Sequence, residues 1–177
     1  AFPADRPLIN VSQAAPVDPP PDSLRQVMAD VALNDNSTHL YGPVLGLDAL
    51  RAELAQQTGE HYHGKVTQEN VGITSGCNQA FAAAIMSLTS EGDEVILPTP
   101  WYFNHKMWLD MAGIECVPLP CDEAMLPDLD AARALMSDRI RAIVLVTPNN
   151  PTGAEYPDTL MRDFFDLART HDALLVV

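Results

Sequence analysis

The sequence predicts a doubly wound α/β domain: three layers, with a mainly parallel sheet between helices. Three observations point there. Strand-like and helix-like segments alternate from about residue 70 to the end. The connections between them are short. Several strand runs, such as "EVIL", "AIVLV" and "ALLVV", are continuously apolar, which marks strands covered on both faces. With 177 residues, 47% of them hydrophobic, the chain can bury one sizeable core.

Residues 1–40 read as an N-terminal arm with a first helix, and 41–177 as one domain. The arm is Pro-rich, densest at "APVDPPPDS", which excludes interior helix and strand. Asp22 or Ser23 can cap a helix running to about Leu33. "NDNSTHLYGPVLG" reads as loop. In "LDALRAELAQQTG", Leu47, Leu50 and Leu54 share one helical face, and Gly59 suits a C-terminal stop. "NVGITSG" reads as a short strand. A helix follows with Phe81, Ile85 and Leu88 on one side. "DEVILPTP" is a strand, "WYFNHKMWLDMAG" a helix closed by Gly113, and "IECVPLP" a strand. Asp128 caps a helix in "PDLDAARALMSD"; "RIRAIVLVTP" is a strand. "YPDTLMRDFFDLARTHD" is the last helix and "ALLVV" the last strand.

The net charge of −14 argues against nucleic acid or an anionic membrane as a partner. No apolar stretch approaches the ~18–20 residues of a membrane span. "AFPADRPLIN" has no basic region followed by an apolar core, so it does not read as a signal peptide. The sequons at Asn10 and Asn36 are then chance matches. The three cysteines, Cys77, Cys116 and Cys121, lack metal-like spacing and suit a reducing cytoplasm. His61 and His63 have no nearby Cys or carboxylate pair to complete a metal site, so no metal is expected. With no initiator Met, and "DALLVV" reading as a strand cut at its carboxyl end, the chain is expected to be incomplete.

Ligands in such folds bind beyond the carboxyl ends of the strands, and three of these ends carry unusual residues. In "ITSGCNQAF", Gly76 permits a tight turn and Cys77-Asn78 open a helix. Free amides at that start favour an anion, most naturally a phosphate. Alternatively, Ser75 caps the helix and Gly76 only makes the turn. In "LPTPWYFNHK", an aromatic among Trp101, Tyr102 and Phe103 can stack on a flat ring, while the others pack as core. His105 carries no catalytic role in this reading. In "VTPNNPTGAEYP", Asn149 or Asn150 can cap the next helix or build an Asx turn, with Pro151 and Gly153 shaping the backbone. An Asn placed beside the other two features can instead donate its NH₂ to a phenolate oxygen. A phosphate, a flat ring and a ring oxygen together describe pyridoxal 5'-phosphate.

Taken in order, "YGPVLGLDALR", "TSGCNQA", "PWYFNHK" and "NNPTG" resemble the class I/II aminotransferases, fold type I pyridoxal-phosphate enzymes. The resemblance spans nearly the whole chain and implies the first part of their large domain. It implies that backbone amides of Gly76, Cys77 and Asn78 hold the cofactor phosphate. Tyr102, second after Pro100, would stack on the pyridine ring. Asn150 would hydrogen-bond the phenolate oxygen and lie near the substrate carboxylate. Tyr41 would reach the phosphate of a neighbouring subunit's cofactor, implying a homodimer. The loop "SQAAPVDPP" would lie over the substrate, with Ala14 and Ala15 near it; Ala14 stands where the family commonly has Gly.

The resemblance has gaps. Only Lys65 and Lys106 are present, and neither has the family's Ser-x-Ser-Lys context. The cofactor-linking lysine, the Asp that pairs with the pyridine nitrogen and the Arg that grips the substrate carboxylate are expected beyond Val177, so no catalytic residue is assigned. The implied activity is transfer of an amino group between an amino acid and a 2-oxo acid. Two alternatives share the same cup: a lyase or synthase of the same fold, and a cofactor-sensing regulator domain.

Overall fold

The computed structural model describes residues 5, 6, 8, 9 and 17–177. Six α-helices and four strands follow in chain order. They are α1 (Asp22–Asn34), α2 (Asp48–Tyr62), α3 (Cys77–Leu88), β1 (Glu94–Pro98), α4 (Phe103–Met111) and β2 (Glu115–Leu119), then α5 (Leu129–Leu135), β3 (Ile140–Val144), α6 (Asp158–Thr170) and β4 (Leu174–Val176). The strands pair in the order β2-β1-β3-β4, every pair parallel.

The side-chain alternation of the strands divides the core into two layers. Val95 and Leu97 of β1 and Ala142 and Val144 of β3 face Phe81 and Ile85 of α3 and Leu109 of α4. Ile96 and Ile143 point the other way, with Leu145, toward Ala132 of α5 and Phe164, Leu167 and Ala168 of α6. Every residue of β1 is buried, which is why that strand reads as an unbroken apolar run. The edge strands β2 and β4 are only partly covered. Helices on both faces make the expected three-layer sandwich.

The topology creates one crevice. β1 and β3 are neighbours, yet β1 leads into α4 on one face of the sheet and β3 into α6 on the other. Their carboxyl ends therefore part, forming the switch point where open α/β sheets take ligands. At the opposite end of the sheet, the Glu94 carboxylate pairs with Arg139 and accepts a hydrogen bond from Ser137 Oγ (3.1 Å).

Some local expectations differ from the structure. Neither Asp22 nor Ser23 caps α1: Pro21 holds that position, and the Asp22 carboxylate pairs with Arg25. Residues 36–39 of the expected loop form a 3-10 turn capped by Asp35, whose carboxylate accepts from Ser37 N. The second helix runs past Gly59 to Tyr62, because His63 adopts the left-handed conformation (φ 53°) and closes it. Leu47, Leu50 and Leu54 stay exposed; α2 buries Ala55 and anchors through Arg51, which donates to Val71 O (2.8 Å) and Gln68 O (2.9 Å). "NVGITSG" is not a strand of the sheet. Its backbone is extended at Val71, but Ile73 N bonds Leu45 O (2.9 Å) in place of a ladder partner. Gly46 makes that approach possible: with φ +98°, a Cβ there would sit 2.7 Å from Ile73 Cβ. The expected Asp128 cap forms, accepting from Asp130 N (2.9 Å) and Ala131 N (3.0 Å).

Phe164 is fully buried between α6 and the sheet. Phe164→Ala is expected to cost about 3–5 kcal/mol, read as a lowered denaturant midpoint with unchanged slope.

Candidate active site

The start of α3 is built to stay open. Its N-cap residue is Gly76, at φ +85° and ψ 170°, with no side chain capping the helix. Ser75, a candidate cap in the sequence, does not serve: its backbone N–H donates to Gln79 Oε1 (2.6 Å). Gly76 N turns back to Thr74 O (2.9 Å). The first amide to find an acceptor inside the helix is Ala80 N, on Gly76 O (3.3 Å). The amides of Cys77, Asn78 and Gln79 thus stand at the positive end of the helix dipole without a side-chain cap. A Cβ at Gly76 would meet nothing within 4 Å, so the space beside this turn is open.

The end of β1 supplies the aromatics. Trp101 packs into the α3/α4 core layer and Phe103 is exposed. Tyr102, the residue between them, precedes the first turn of α4 and is half-buried. Its hydroxyl accepts from Asn104 Nδ2 (2.7 Å). His105 lies one helical turn further on and braces the ring edge-on, centroids 5.2 Å apart. The His105 ring itself stacks on Phe81 at 4.0 Å and 18°. Burial holds its pKa below the ordinary imidazole value, which favours the neutral ring. Sequence reasoning gave His105 no role; its spacing of three from Tyr102 on a helix was the available signal.

The end of β3 separates two adjacent asparagines. Asn149 is buried and fully used: its Oδ1 accepts from Thr152 N (3.2 Å) and Thr152 Oγ1 (2.9 Å), and its Nδ2 donates to Tyr156 OH (3.1 Å). It therefore builds the Asx turn, while Pro157 takes the N-cap position of α6. Gly153 has φ +76°, as the turn requires. Asn150 is exposed.

Cys77, Tyr102 and Asn150 line one hollow of about 540 Å³ beyond the parted ends of β1 and β3. Phe81, His105 and Thr147 also belong to its wall, with small and aliphatic residues of α3 and around the ends of β3 and β4 filling the rest; no lysine or arginine among the described residues lines it. Gly76 adjoins it through Cys77. The Asn78 amide stands at the start of α3 as expected, but its side chain and Tyr41 lie away from the hollow. The Asn78 side chain faces a separate hollow of about 260 Å³ against Trp108 and Met111, its Oδ1 buried without a partner. Tyr41 is fully exposed, beside Thr38, His39 and Leu40. Ala14 and Ala15 lie outside the described residues. Among those residues, no cluster of His, Cys, Asp or Glu is arranged for a metal, and no helix is long and apolar enough to cross a membrane.

The hollow offers amide donors at one end, an aromatic plate at its side and a free carboxamide. This set fits a planar ring carrying an anionic group and a ring oxygen acceptor. The thiols differ sharply. Cys77 is exposed, whereas burial pushes Cys116 up to about 11 and also raises Cys121. A maleimide at pH 7.5 should label Cys77 first and Cys116 last, since only the thiolate reacts; peptide mass spectrometry gives the order.

Comparison with known proteins identifies the family. The family model for aminotransferase class I and II matches residues 6–177. The glutamate-pyruvate aminotransferase AlaA of Escherichia coli K12 is 31% identical over 160 residues, covering 87% of this chain and 38% of that protein. The aspartate/prephenate aminotransferase of Thermus thermophilus is 34% identical over 139 residues, covering 77% and 36%. The chain thus spans about 38% of the length of the curated relatives it matches. Among solved structures, an alanine aminotransferase from Pyrococcus furiosus superposes with TM-score 0.84 at 25% identity, covering 88% of this chain and 40% of that one. An aspartate aminotransferase variant from Thermus thermophilus reaches TM-score 0.88 at 28% identity, covering 96% and 47%. With a match running through the helix start, the aromatic and the asparagine turn alike, the chain belongs to the aminotransferase class I and II family.

Proposed function

We propose that the protein is a pyridoxal-phosphate-dependent aminotransferase, moving an amino group between an amino acid and a 2-oxo acid. The observation that carries this reading is the single hollow lined by Cys77, Tyr102 and Asn150 at the switch point of the sheet. Family membership supports the choice of ligand and reaction.

The amides of Cys77 and Asn78 hold the cofactor phosphate at the start of α3; the Gly76 N–H, expected to join them, is taken by Thr74 O (2.9 Å), and Gly76 serves by making the open turn. With no cationic side chain among the described residues lining the hollow, this chain's share of that attraction comes from the helix dipole and the amides. Tyr102 covers one ring face, and His105, stacked on Phe81, stops the Tyr102 ring from swinging away. Asn150 donates to the phenolate oxygen and lies close to the substrate carboxylate. Bound there, pyridoxal phosphate supplies the electron sink that lets an amino acid lose its α-proton. The role of these residues is to fix the ring before chemistry begins, which is where preorganised dipoles act best.

The working unit is a homodimer. Supporting this, apolar residues crowd the exposed surface from α1 through α2, including Val27, Met28, Val31, Leu40, Tyr41, Val44, Leu47 and Leu50. Tyr41 stands in that surface and reaches the partner's cofactor phosphate. Small amino and oxo acids, not nucleic acid, are the partners of a chain of net charge −14. Three free thiols support a reducing, cytoplasmic setting.

The test uses the full-length protein. Its bound-cofactor absorbance should bleach on addition of an amino donor and return with a 2-oxo acid; release of ammonia and pyruvate from a β-substituted amino acid would point instead to a lyase. Asn150→Ala should weaken cofactor affinity about tenfold or more and shift the absorbance band, the scale of a lost hydrogen bond to a charged oxygen. Tyr41→Phe should loosen cofactor severalfold in the dimer, measured by equilibrium titration.

A further inference from the structure

The two asparagines of the turn are chemically identical, so something must decide which one faces the ligand. We infer that Tyr156, acting through Asn149, is the positioning residue that holds Asn150 toward the hollow. This rests on the reading that Asn150 touches the cofactor ring.

The clasp is built from both sides of the turn. Tyr156 is 6% exposed and Asn149 7%, so every polar atom between them needs a partner. The Tyr156 hydroxyl accepts from Asn149 Nδ2 (3.1 Å), and Tyr156 N donates to Thr147 Oγ1 (2.8 Å). Thr147 is itself part of the hollow's wall. Thr152 fixes the other end of the Asn149 amide through two bonds to Oδ1. The backbone of Asn149 is closed as well: its N–H donates to Ala154 O and its carbonyl accepts from Gly153 N, both at 2.7 Å. Asn150 is left between an immobilised neighbour and Pro151, whose ring fixes its own φ and narrows the backbone choices of the residue before it. The exposed carboxamide therefore has its direction set chiefly by Asn149, Thr152 and Tyr156, which do not line the hollow. Tyr156 is the outermost of these groups, and it ties the turn back to Thr147 at the end of β3.

A double-mutant cycle on the full-length protein separates positioning from plain stability. The probe is pyridoxal phosphate itself: its dissociation constant, the absorbance maximum of the bound form, and the thermal midpoint of cofactor-free protein. Tyr156→Phe keeps the ring and removes the hydroxyl. It should weaken binding on the order of five- to tenfold and move the band in the direction Asn150→Ala moves it. Thr152→Val, which removes one anchor of Asn149 Oδ1, should do the same to a smaller degree. Adding Tyr156→Phe to Asn150→Ala should cost no further affinity, because there is no longer a carboxamide to aim. The inference is overturned if both single variants lower only the thermal midpoint, or if the Tyr156 and Asn150 losses add in full. A wild-type protein that takes up no pyridoxal phosphate, or an Asn150→Ala variant that binds it as wild type does, overturns the underlying reading first and this role with it.

Discussion

The parallel pairing of β1 with β3 is the constraint on which the rest depends. Two adjacent strands whose following helices leave on opposite faces cannot be covered by one layer at their carboxyl ends. Into that gap the chain delivers three pieces that are far apart in sequence: the start of α3, the aromatic before α4 and the turn after β3. The same pairing carries the greatest burial in the molecule, all of β1 and nearly all of β3. Stability and site geometry are thus set together, because the strands that end at the hollow are the most completely buried ones.

Around the hollow, Tyr102, Asn150 and the start of α3 are each held by a neighbouring group. Tyr102 faces it and is braced by His105, which leans in turn on Phe81. Asn150 faces it and is flanked by an asparagine with no free polar atom to spare. The α3 amides face it with the turn held by Thr74 and Gln79. Each facing group would be too mobile alone to hold a ligand in one pose; its neighbour removes that freedom beforehand.

Much of the fold was legible because its signals are local. Helix positions followed from apolar spacing and from caps such as Asp128, and the buried strands from unbroken apolar runs. The asparagine turn was legible from Pro151 and Gly153. Errors arose where a segment's fate depends on a distant partner. Val71 to Ser75 has strand-like composition, yet a strand exists only where another lies alongside, and here Ile73 finds Leu45. The leucine face of α2 has a core-like period, but helix periodicity does not say what covers it. Asn78 illustrates the same limit within the site: its backbone opens α3, while its side chain turns toward Trp108.

By itself, the sequence determined the order of elements, the open glycine turn before α3 and the presence of an aromatic and an amide at successive strand ends. These follow from backbone sterics and short-range hydrogen bonding, which act within a few residues. The motif resemblance had singled out Tyr102 and Asn150; only the tertiary structure decided that Trp101 packs into the α3/α4 layer, that Asn149 is consumed by Tyr156, and that His105 stands edge-on to Tyr102. Those outcomes depend on burial and on partners brought together by strand pairing, and no local pattern records which of two adjacent, equally suited side chains will be turned inward.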